Sequence, residues 1–177
     1  MSDFWVFGYG SLMWRPGFDY LEQAPARLDG LHRALCVYSW VHRGTQDKPG
    51  LVLGLDRGGA CRGVAYRVAA ADRETVLAYL RKRELVTNVY REVWRLVRFP
   101  GGSHPPVKAL TYLVDRDHVQ YAGRLPRETL LAITRDGAGQ SGANRDYVIN
   151  TAAHLKALGL GDRLLDWLAE ELGKPQA

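Results

Sequence analysis

The 177-residue sequence is poor in cysteine, with only Cys36 and Cys61. Secreted domains that depend on disulfide bridges usually carry more, so we predict two buried small hydrophobes in a reducing compartment. Long apolar runs are also missing, since no stretch approaches the roughly 20 residues needed to cross a bilayer. The first residues have no basic segment ahead of an apolar one, as a signal peptide would. These absences predict a soluble, cytoplasmic protein with no membrane partner.

A concentrated positive charge is missing as well. The chain has 24 Lys+Arg and 19 Asp+Glu, a net charge of +5, and its densest basic cluster is Arg81–Arg83. Nucleic-acid binders usually show a basic stripe with stacking aromatic residues, so we expect no nucleic-acid partner. A mild positive balance suits a small acidic ligand. The five histidines have no metal-ligand spacing, so we expect no metal site.

The sequence pattern places strands first and helices later. A short apolar strand at residues 4–7 is followed by strand-like segments at 31–39, 51–56, 61–68, 89–99 and 107–114. A helix capped by Asp72 separates the segments at 61–68 and 89–99. Three more helices are predicted in the last third, at 125–134, after a Ser141 cap, and after an Asp162 cap. This order predicts one α+β domain over residues 1–177, with an antiparallel or mixed sheet that can close into a barrel.

A glycine-flanked loop, Tyr9-Gly10-Ser11-Leu12, directly follows the first strand. Such a turn leaves backbone N–H groups free to face an anion. It is neither a dinucleotide fingerprint, because Met13 stands where a third glycine would be needed, nor a P-loop. The alternative interpretation is a purely structural turn between strands.

Glu84 continues the apolar face of the helix that begins after Asp72. It follows Val76 and Leu80 at intervals of four residues, whereas Glu74 falls on the opposite, exposed side. Burial and the negative end of the helix dipole both raise a carboxyl pKa, toward values at which the group can accept and return a proton. The alternative for Glu84 is a structural salt bridge to an arginine.

Two further segments are weaker candidates on composition alone. In the segment at 139–147, small residues open a helix whose N-terminus can hold an anion, or simply cap the helix. The loop at 42–45 contains Arg43, which can meet an acidic ligand or lie in a solvated turn. No nucleophile elbow for a serine hydrolase is present in the sequence.

Five segments, taken in order, resemble the ChaC-type γ-glutamylcyclotransferases, the branch specific for glutathione. They are Trp5–Trp14, His42–Thr45 with Pro49–Leu51, Gly63–Arg67, Tyr79–Glu84 and Ser141–Tyr147. The resemblance implies an α+β fold around a small closed β-barrel flanked by helices. It also implies cleavage of glutathione to 5-oxoproline and Cys-Gly without a cofactor.

The resemblance also suggests roles for individual residues. Glu84 matches the catalytic glutamate of the family, and the loop at Tyr9, Gly10, Ser11 and Leu12 matches the segment that grips the γ-glutamyl group. Arg43 and Tyr147 are expected to make the outer substrate contacts, with Arg43 on the glycine carboxylate.

One departure from the family pattern concerns substrate choice. Family members often show Gly-Gly-Tyr after the Arg-Glu pair, whereas Leu85-Val86-Thr87-Asn88 follows here. A longer, less flexible turn at this point can reshape the pocket. A cyclotransferase acting on other γ-glutamyl amino acids or amines is therefore an alternative. A non-catalytic binder or regulator that holds a γ-glutamyl compound or a protein partner is another.

Overall fold

A closed five-stranded barrel forms the main sheet of the computed structural model, which describes residues 2–175. Its strands are β1 (Phe4–Gly8), β2 (Glu22–Ser39), β3 (Gly50–Val68), β4 (Tyr90–Arg98) and β5 (Val107–Val114). In the order β1-β3-β2-β4-β5, β1 is antiparallel to β3 and parallel to β5, and β4 is antiparallel to β2 and β5. The predicted α+β fold around a small closed barrel of mixed strands is confirmed.

The chain divides into two compact units, the first formed by residues up to Ala34 and by Gly54–His118. It contains β1, β4, β5 and helix α1 (Arg73–Glu84). Asp72 occupies the predicted N-cap position of α1, although its side chain makes no capping hydrogen bond. The apolar core of this unit is built from Phe4, Val6, Leu12, Val68, Val76, Leu80, Leu110 and Tyr112.

The second unit comprises Leu35–Leu53 and the chain from Val119 onward. It contains α2 (Arg127–Asp136), the short strands β6 (Ala138–Gly139) and β7 (Gly142–Ala143), α3 (Asn144–Ala157) and α4 (Arg163–Gly173). The Asp162 cap of α4 is confirmed, because its carboxylate accepts hydrogen bonds from the N–H groups of Leu164 and Leu165. That the whole chain forms a single domain stays a prediction.

Two strand predictions were wrong in their bounds. The segments predicted at 51–56 and 61–68 are one strand, β3, and β2 begins at Glu22 instead of residue 31. Gly58 and Gly59 in β3 and Gly30 in β2 have positive φ. Glycine adopts this conformation without strain, so each strand continues through an irregularity that looks like a turn in the sequence.

The predicted Ser141 cap was also wrong. Helix α3 begins at Asn144, because Gly142 and Ala143 pair with Gly139 and Ala138 as a short ladder. Ser141 instead lies 2.9 Å from His42 through its hydroxyl.

Two other expectations concern cysteine and membrane segments. Cys36 and Cys61 are buried thiols, as predicted. Over residues 2–175, no helix combines the length and apolar character that crossing a membrane requires.

Candidate active site

The loop after β1 forms a single 3-10 turn at Ser11–Met13, with Gly10 at its N-cap. The N–H of Met13 donates to the Gly10 carbonyl at 2.9 Å. The N–H groups of Ser11 and Leu12 precede this first turn bond, and no capping side chain covers them in the described structure. Leu12 is buried and Ser11 is exposed, so the loop is anchored by one side chain while its N-terminal end stays open.

Three side chains of the first unit hold this loop. Arg33 Nε donates to the Tyr9 carbonyl at 2.5 Å, and the Tyr66 hydroxyl donates to the Met13 carbonyl at 2.7 Å. Arg83 donates to the Ser11 hydroxyl at 2.9 Å through Nη2 and to the Arg15 carbonyl at 2.7 Å through Nη1. Fixed at both ends, the loop presents its N–H groups in one arrangement.

Gly17 makes room for the Arg83 contacts. Its φ is +75°, and a Cβ there would overlap the Tyr79 hydroxyl. That hydroxyl accepts a hydrogen bond from Arg83 Nη1 at 3.0 Å. The glycine is therefore required by both its backbone conformation and its close approach to Tyr79.

Glu84 is the last residue of α1, and its side chain is 18% exposed. The Nε atom of the neighbouring Arg83 lies 3.2 Å from Glu84 Oε1. One guanidinium therefore contacts both the carboxylate and the Ser11 loop, and it brings the two predicted elements of the first unit together. The alternative for Glu84 was a structural salt bridge to an arginine, and Arg83 makes such a contact with it. The same arginine also holds the loop.

Burial raises the pKa of Glu84 above 4.5, and the positive charge of Arg83 opposes this without cancelling it. Position at the end of α1 works in the same direction as burial, because the helix C-terminus disfavours negative charge. A carboxyl group with a raised pKa and some remaining exposure is suited to taking up and returning a proton.

Arg43 and Tyr147 lie together in the second unit. The Arg43 guanidinium stands 5.4 Å from the centre of the Tyr147 ring, and its Nη1 donates to the Ser141 carbonyl at 2.6 Å. The Tyr147 hydroxyl accepts a hydrogen bond from the Leu53 N–H at 3.0 Å. The structure thus joins these two predicted residues in one local cluster.

Sequence reasoning missed the residues that hold the loop. Arg33 and Tyr66 carried no signal, because each bonds a backbone carbonyl more than twenty residues away. Arg83 could have been found, since it directly precedes Glu84 within a segment that matches the family. In residues 2–175, no group of three or more His, Cys, Asp or Glu side chains is placed to hold a metal ion.

The chain is similar in sequence to several γ-glutamylcyclotransferases. It is 34% identical to the glutathione-specific γ-glutamylcyclotransferase of Escherichia coli (strain K12), over 89% of this chain and 68% of that protein. It is also 34% identical to glutathione-specific γ-glutamylcyclotransferase 1 of Danio rerio, over 88% and 80% of the two chains. For γ-glutamylcyclotransferase 2-3 of Arabidopsis thaliana the identity is 33%, over 95% and 87%.

The fold is similar to that of a solved structure. A crystal structure of a yeast γ-glutamyl cyclotransferase specific to glutathione superposes with a TM-score of 0.85 and 21% identity, covering 97% of this chain and 96% of that one. At this identity the similarity establishes the fold. The family model described as ChaC-like protein matches residues 4–174, nearly the whole chain. Together with relatives above 30% identity, this match shows that the chain belongs to the ChaC-like family.

Proposed function

We propose that this protein cleaves the γ-glutamyl bond of glutathione by intramolecular cyclisation, releasing 5-oxoproline and Cys-Gly. The observation that carries the proposal is a half-buried carboxylate with a raised pKa, Glu84, joined through Arg83 to a loop with open N–H groups. Membership of the ChaC-like family and the names of the relatives support the same reaction.

The chemistry needs one group that moves a proton twice. Glu84 takes a proton from the α-ammonium of the γ-glutamyl group, and the freed amine attacks the γ-carbonyl carbon to close a five-membered ring. Glu84 then returns this proton to the departing cysteinyl nitrogen, and the regenerated carboxylate passes the second proton of the ring nitrogen to the released amine. Attack within one molecule gains greatly from orientation, so folding the substrate into the ring-closing geometry supplies much of the acceleration.

The loop after β1 is proposed to hold the substrate in that geometry. The N–H groups of Gly10, Ser11 and Leu12 would bind the α-carboxylate, and Tyr9 would line the same side of the substrate site. Support comes from the rigid attachment of the loop through Arg33, Tyr66 and Arg83 described above. A preorganised anion site of this kind spends little energy on reorganisation when the substrate binds.

Arg43 and Tyr147 are proposed to contact the outer, cysteinyl-glycine end of the substrate. Arg43 supplies the positive charge for the glycine carboxylate. A guanidinium has five N–H donors, so the hydrogen bonds to the Ser141 and Ala143 carbonyls leave others for a ligand.

Two further predictions stay as they were: that the protein binds no nucleic acid, and that it lies in the cytoplasm.

Other γ-glutamyl compounds are a second candidate substrate class, favoured by the segment after Glu84. Asn88 has φ +58°, in the left-handed region, and Val86 is 60% exposed. Asparagine tolerates this conformation better than most residues other than glycine. The segment therefore keeps a sharp turn without glycine, and its side chains can change which amine leaves.

The test measures 5-oxoproline release from glutathione, γ-Glu-Ala and γ-Glu-ε-Lys, using wild type, Glu84→Gln and Glu74→Gln. We expect release chiefly from glutathione, a fall in kcat of about 10³-fold in Glu84→Gln, and wild-type rates in Glu74→Gln. Glu74 is the matched control because it is exposed on the same helix. Release chiefly from another substrate would keep the mechanism and change the substrate class. A folded protein that binds glutathione but releases no 5-oxoproline would be a binder instead.

A further inference from the structure

The hydroxyl of Tyr112 in β5 is the one buried side-chain polar atom without a hydrogen-bond partner in residues 2–175. The side chain is only 1% exposed. Native proteins satisfy nearly all such groups, because a buried O–H that loses its water partners and gains none destabilises the fold. An orphaned hydroxyl in a native interior therefore needs a reason, and one recognised reason is a functional role.

Tyr112 lies beside the end of helix α1. Its ring packs in the same apolar cluster as Leu12 of the loop and Leu80, which stands one turn before Glu84 on the buried face of the helix. In the β4–β5 ladder Tyr112 is directly opposite Glu92, so the two side chains share one face of the sheet.

Helix α1 contacts this same face through Arg81. The Arg81 guanidinium donates two hydrogen bonds of 2.8 Å to Glu92. Glu84 follows Arg81 by three residues, a spacing that places both on one side of the helix. The Tyr112 hydroxyl lies within electrostatic range of the Glu84 carboxylate, which contributes to raising the pKa of the phenol, although the two are not hydrogen bonded.

Burial, together with two nearby carboxylates, keeps the hydroxyl protonated. Burial raises the pKa of Tyr112 well above 10, and the carboxylates of Glu92 and Glu84 raise it further, against a smaller opposing effect of Arg81. Glu92 is occupied by its two hydrogen bonds to Arg81. The phenol is therefore a neutral donor at every pH at which an enzyme of this kind works.

The γ-glutamyl group has three polar parts that need partners. In the proposed function, the loop N–H groups bind the α-carboxylate and Glu84 accepts a proton from the α-ammonium. The γ-carbonyl oxygen is then left without a donor. Ring closure brings the α-nitrogen against the γ-carbonyl carbon, so this oxygen must lie near Glu84 as well. We propose that the Tyr112 hydroxyl donates its hydrogen bond to the γ-carbonyl oxygen of the substrate and stabilises the oxyanion that forms there.

In this step the α-amine lone pair forms the new N–C bond, and the C=O π pair moves onto the carbonyl oxygen. Glu84 already carries the proton that the α-ammonium lost before the attack. Tyr112 keeps its proton and only donates a hydrogen bond. When the oxyanion collapses, the C–N bond to cysteine breaks, and the leaving nitrogen takes the proton from Glu84. The regenerated Glu84 carboxylate then takes the second proton of the ring nitrogen and passes it to the released amine. The inference rests on the proposed function, because it assigns the donor for that reaction.

Tyr66 provides a control for stability, because its hydroxyl holds the loop through a hydrogen bond that the free protein already makes. It is also 1% exposed, but its O–H donates to the Met13 carbonyl at 2.7 Å. In Tyr66→Phe the carbonyl loses its partner, so we expect the Tm to fall by about 2–4 °C. In Tyr112→Phe no hydrogen bond of the free protein is lost, so we expect the Tm to stay the same or rise.

The experiment compares wild type, Tyr112→Phe and Tyr66→Phe by thermal melting and by steady-state release of 5-oxoproline from glutathione. We expect kcat of Tyr112→Phe to fall about 100-fold with little change in KM, because the donor acts mainly on the charge of the transition state. The ratio of the kcat of wild type to that of Tyr112→Phe should stay constant from pH 6 to pH 8, because the Tyr112 phenol does not titrate in this range.

An unchanged kcat in Tyr112→Phe, or a raised KM with unchanged kcat, would overturn the inference. So would a fall in Tm like that of Tyr66→Phe with activity lost in proportion to the unfolded fraction. If wild type itself releases no 5-oxoproline from any γ-glutamyl compound, the proposed function fails first. An active wild type with an equally active Tyr112→Phe defeats only the role of Tyr112.

Discussion

The two compact units each contain an arginine bound to the backbone, but these arginines differ in their other partners. Arg83, at the end of α1, binds the carbonyl of Arg15, and Arg43 binds the carbonyl of Ser141, near the start of α3. In the first unit the arginine also contacts Glu84, whose pKa stays raised. In the second it lies over the Tyr147 ring, whose hydroxyl already has a backbone partner.

The second unit satisfies its buried polar groups internally. Asn144 is fully buried, and its side-chain amide exchanges two hydrogen bonds of 2.7 Å with the backbone of Leu51. In the first unit, burial disfavours the charged form of the Glu84 carboxylate, and the buried Tyr112 hydroxyl has no hydrogen-bond partner among residues 2–175. Groups that are not at their lowest free energy in the free protein are the ones that a substrate can satisfy. The difference supports the proposal that Glu84 and Tyr112 of the first unit act in the reaction, and it makes the hydrogen bonds of Asn144 in the second unit a stabilising network.

The largest expected effect on stability comes from breaking that network. In Asn144→Ala the N–H and C=O of Leu51 both lose their partners in a buried position. We expect the free energy of unfolding to fall by about 2–4 kcal/mol, while kcat for 5-oxoproline release stays near wild type below the melting temperature.

Urea unfolding and steady-state kinetics check this, with the exposed Asn150→Ala on the same helix as control. A stable Asn144→Ala with a large loss of kcat would remove the contrast between the units.

A smaller effect is expected at Arg83, where one side chain joins the loop to the helix. Lysine keeps the charge beside Glu84 but lacks the planar group that reaches Ser11 and Arg15 together. We expect kcat/KM of Arg83→Lys to fall about tenfold, equivalent to about 1.4 kcal/mol of transition-state stabilisation, with most of the change in KM.

The control for Arg83→Lys is Lys82→Ala, an exposed change at the adjacent position, measured in the same assay. If both variants match wild type, Arg83 does not hold the substrate loop in its working form.

The smallest effect is a pH dependence of stability. Because the folded-state pKa of Glu84 is raised, the folded protein binds more protons than the unfolded chain between about pH 4.5 and the raised value. Glu84 therefore lowers stability as pH rises through this window. Glu84→Gln lacks this effect, so we expect its Tm to rise relative to wild type between pH 4 and pH 7. Thermal melts over this range measure the Tm difference between Glu84→Gln and wild type. A difference that shrinks as the pH rises would contradict the raised pKa of Glu84.

The sequence was informative where the signal is local. The interval of four residues between Val76, Leu80 and Glu84 correctly placed the carboxylate at the buried end of α1, since helix periodicity is a local property. The strand interruption at Gly58–Gly59 was misjudged, because a glycine pair predicts a turn and a strand irregularity equally well. Tyr112 could not be singled out, because its isolation depends on Arg81, Glu92 and Leu80 from two other elements.

The most direct test of the account is the pH dependence of kcat/KM for glutathione, measured beside the pKa of the Glu84 carboxyl group by NMR in the free protein. The kcat/KM profile reports the free enzyme, so its acid limb should have an apparent pKa above 4.5 that equals the NMR value for Glu84. An NMR value at or below 4.5, or an acid limb that follows another group, would contradict the assignment of Glu84 as the base.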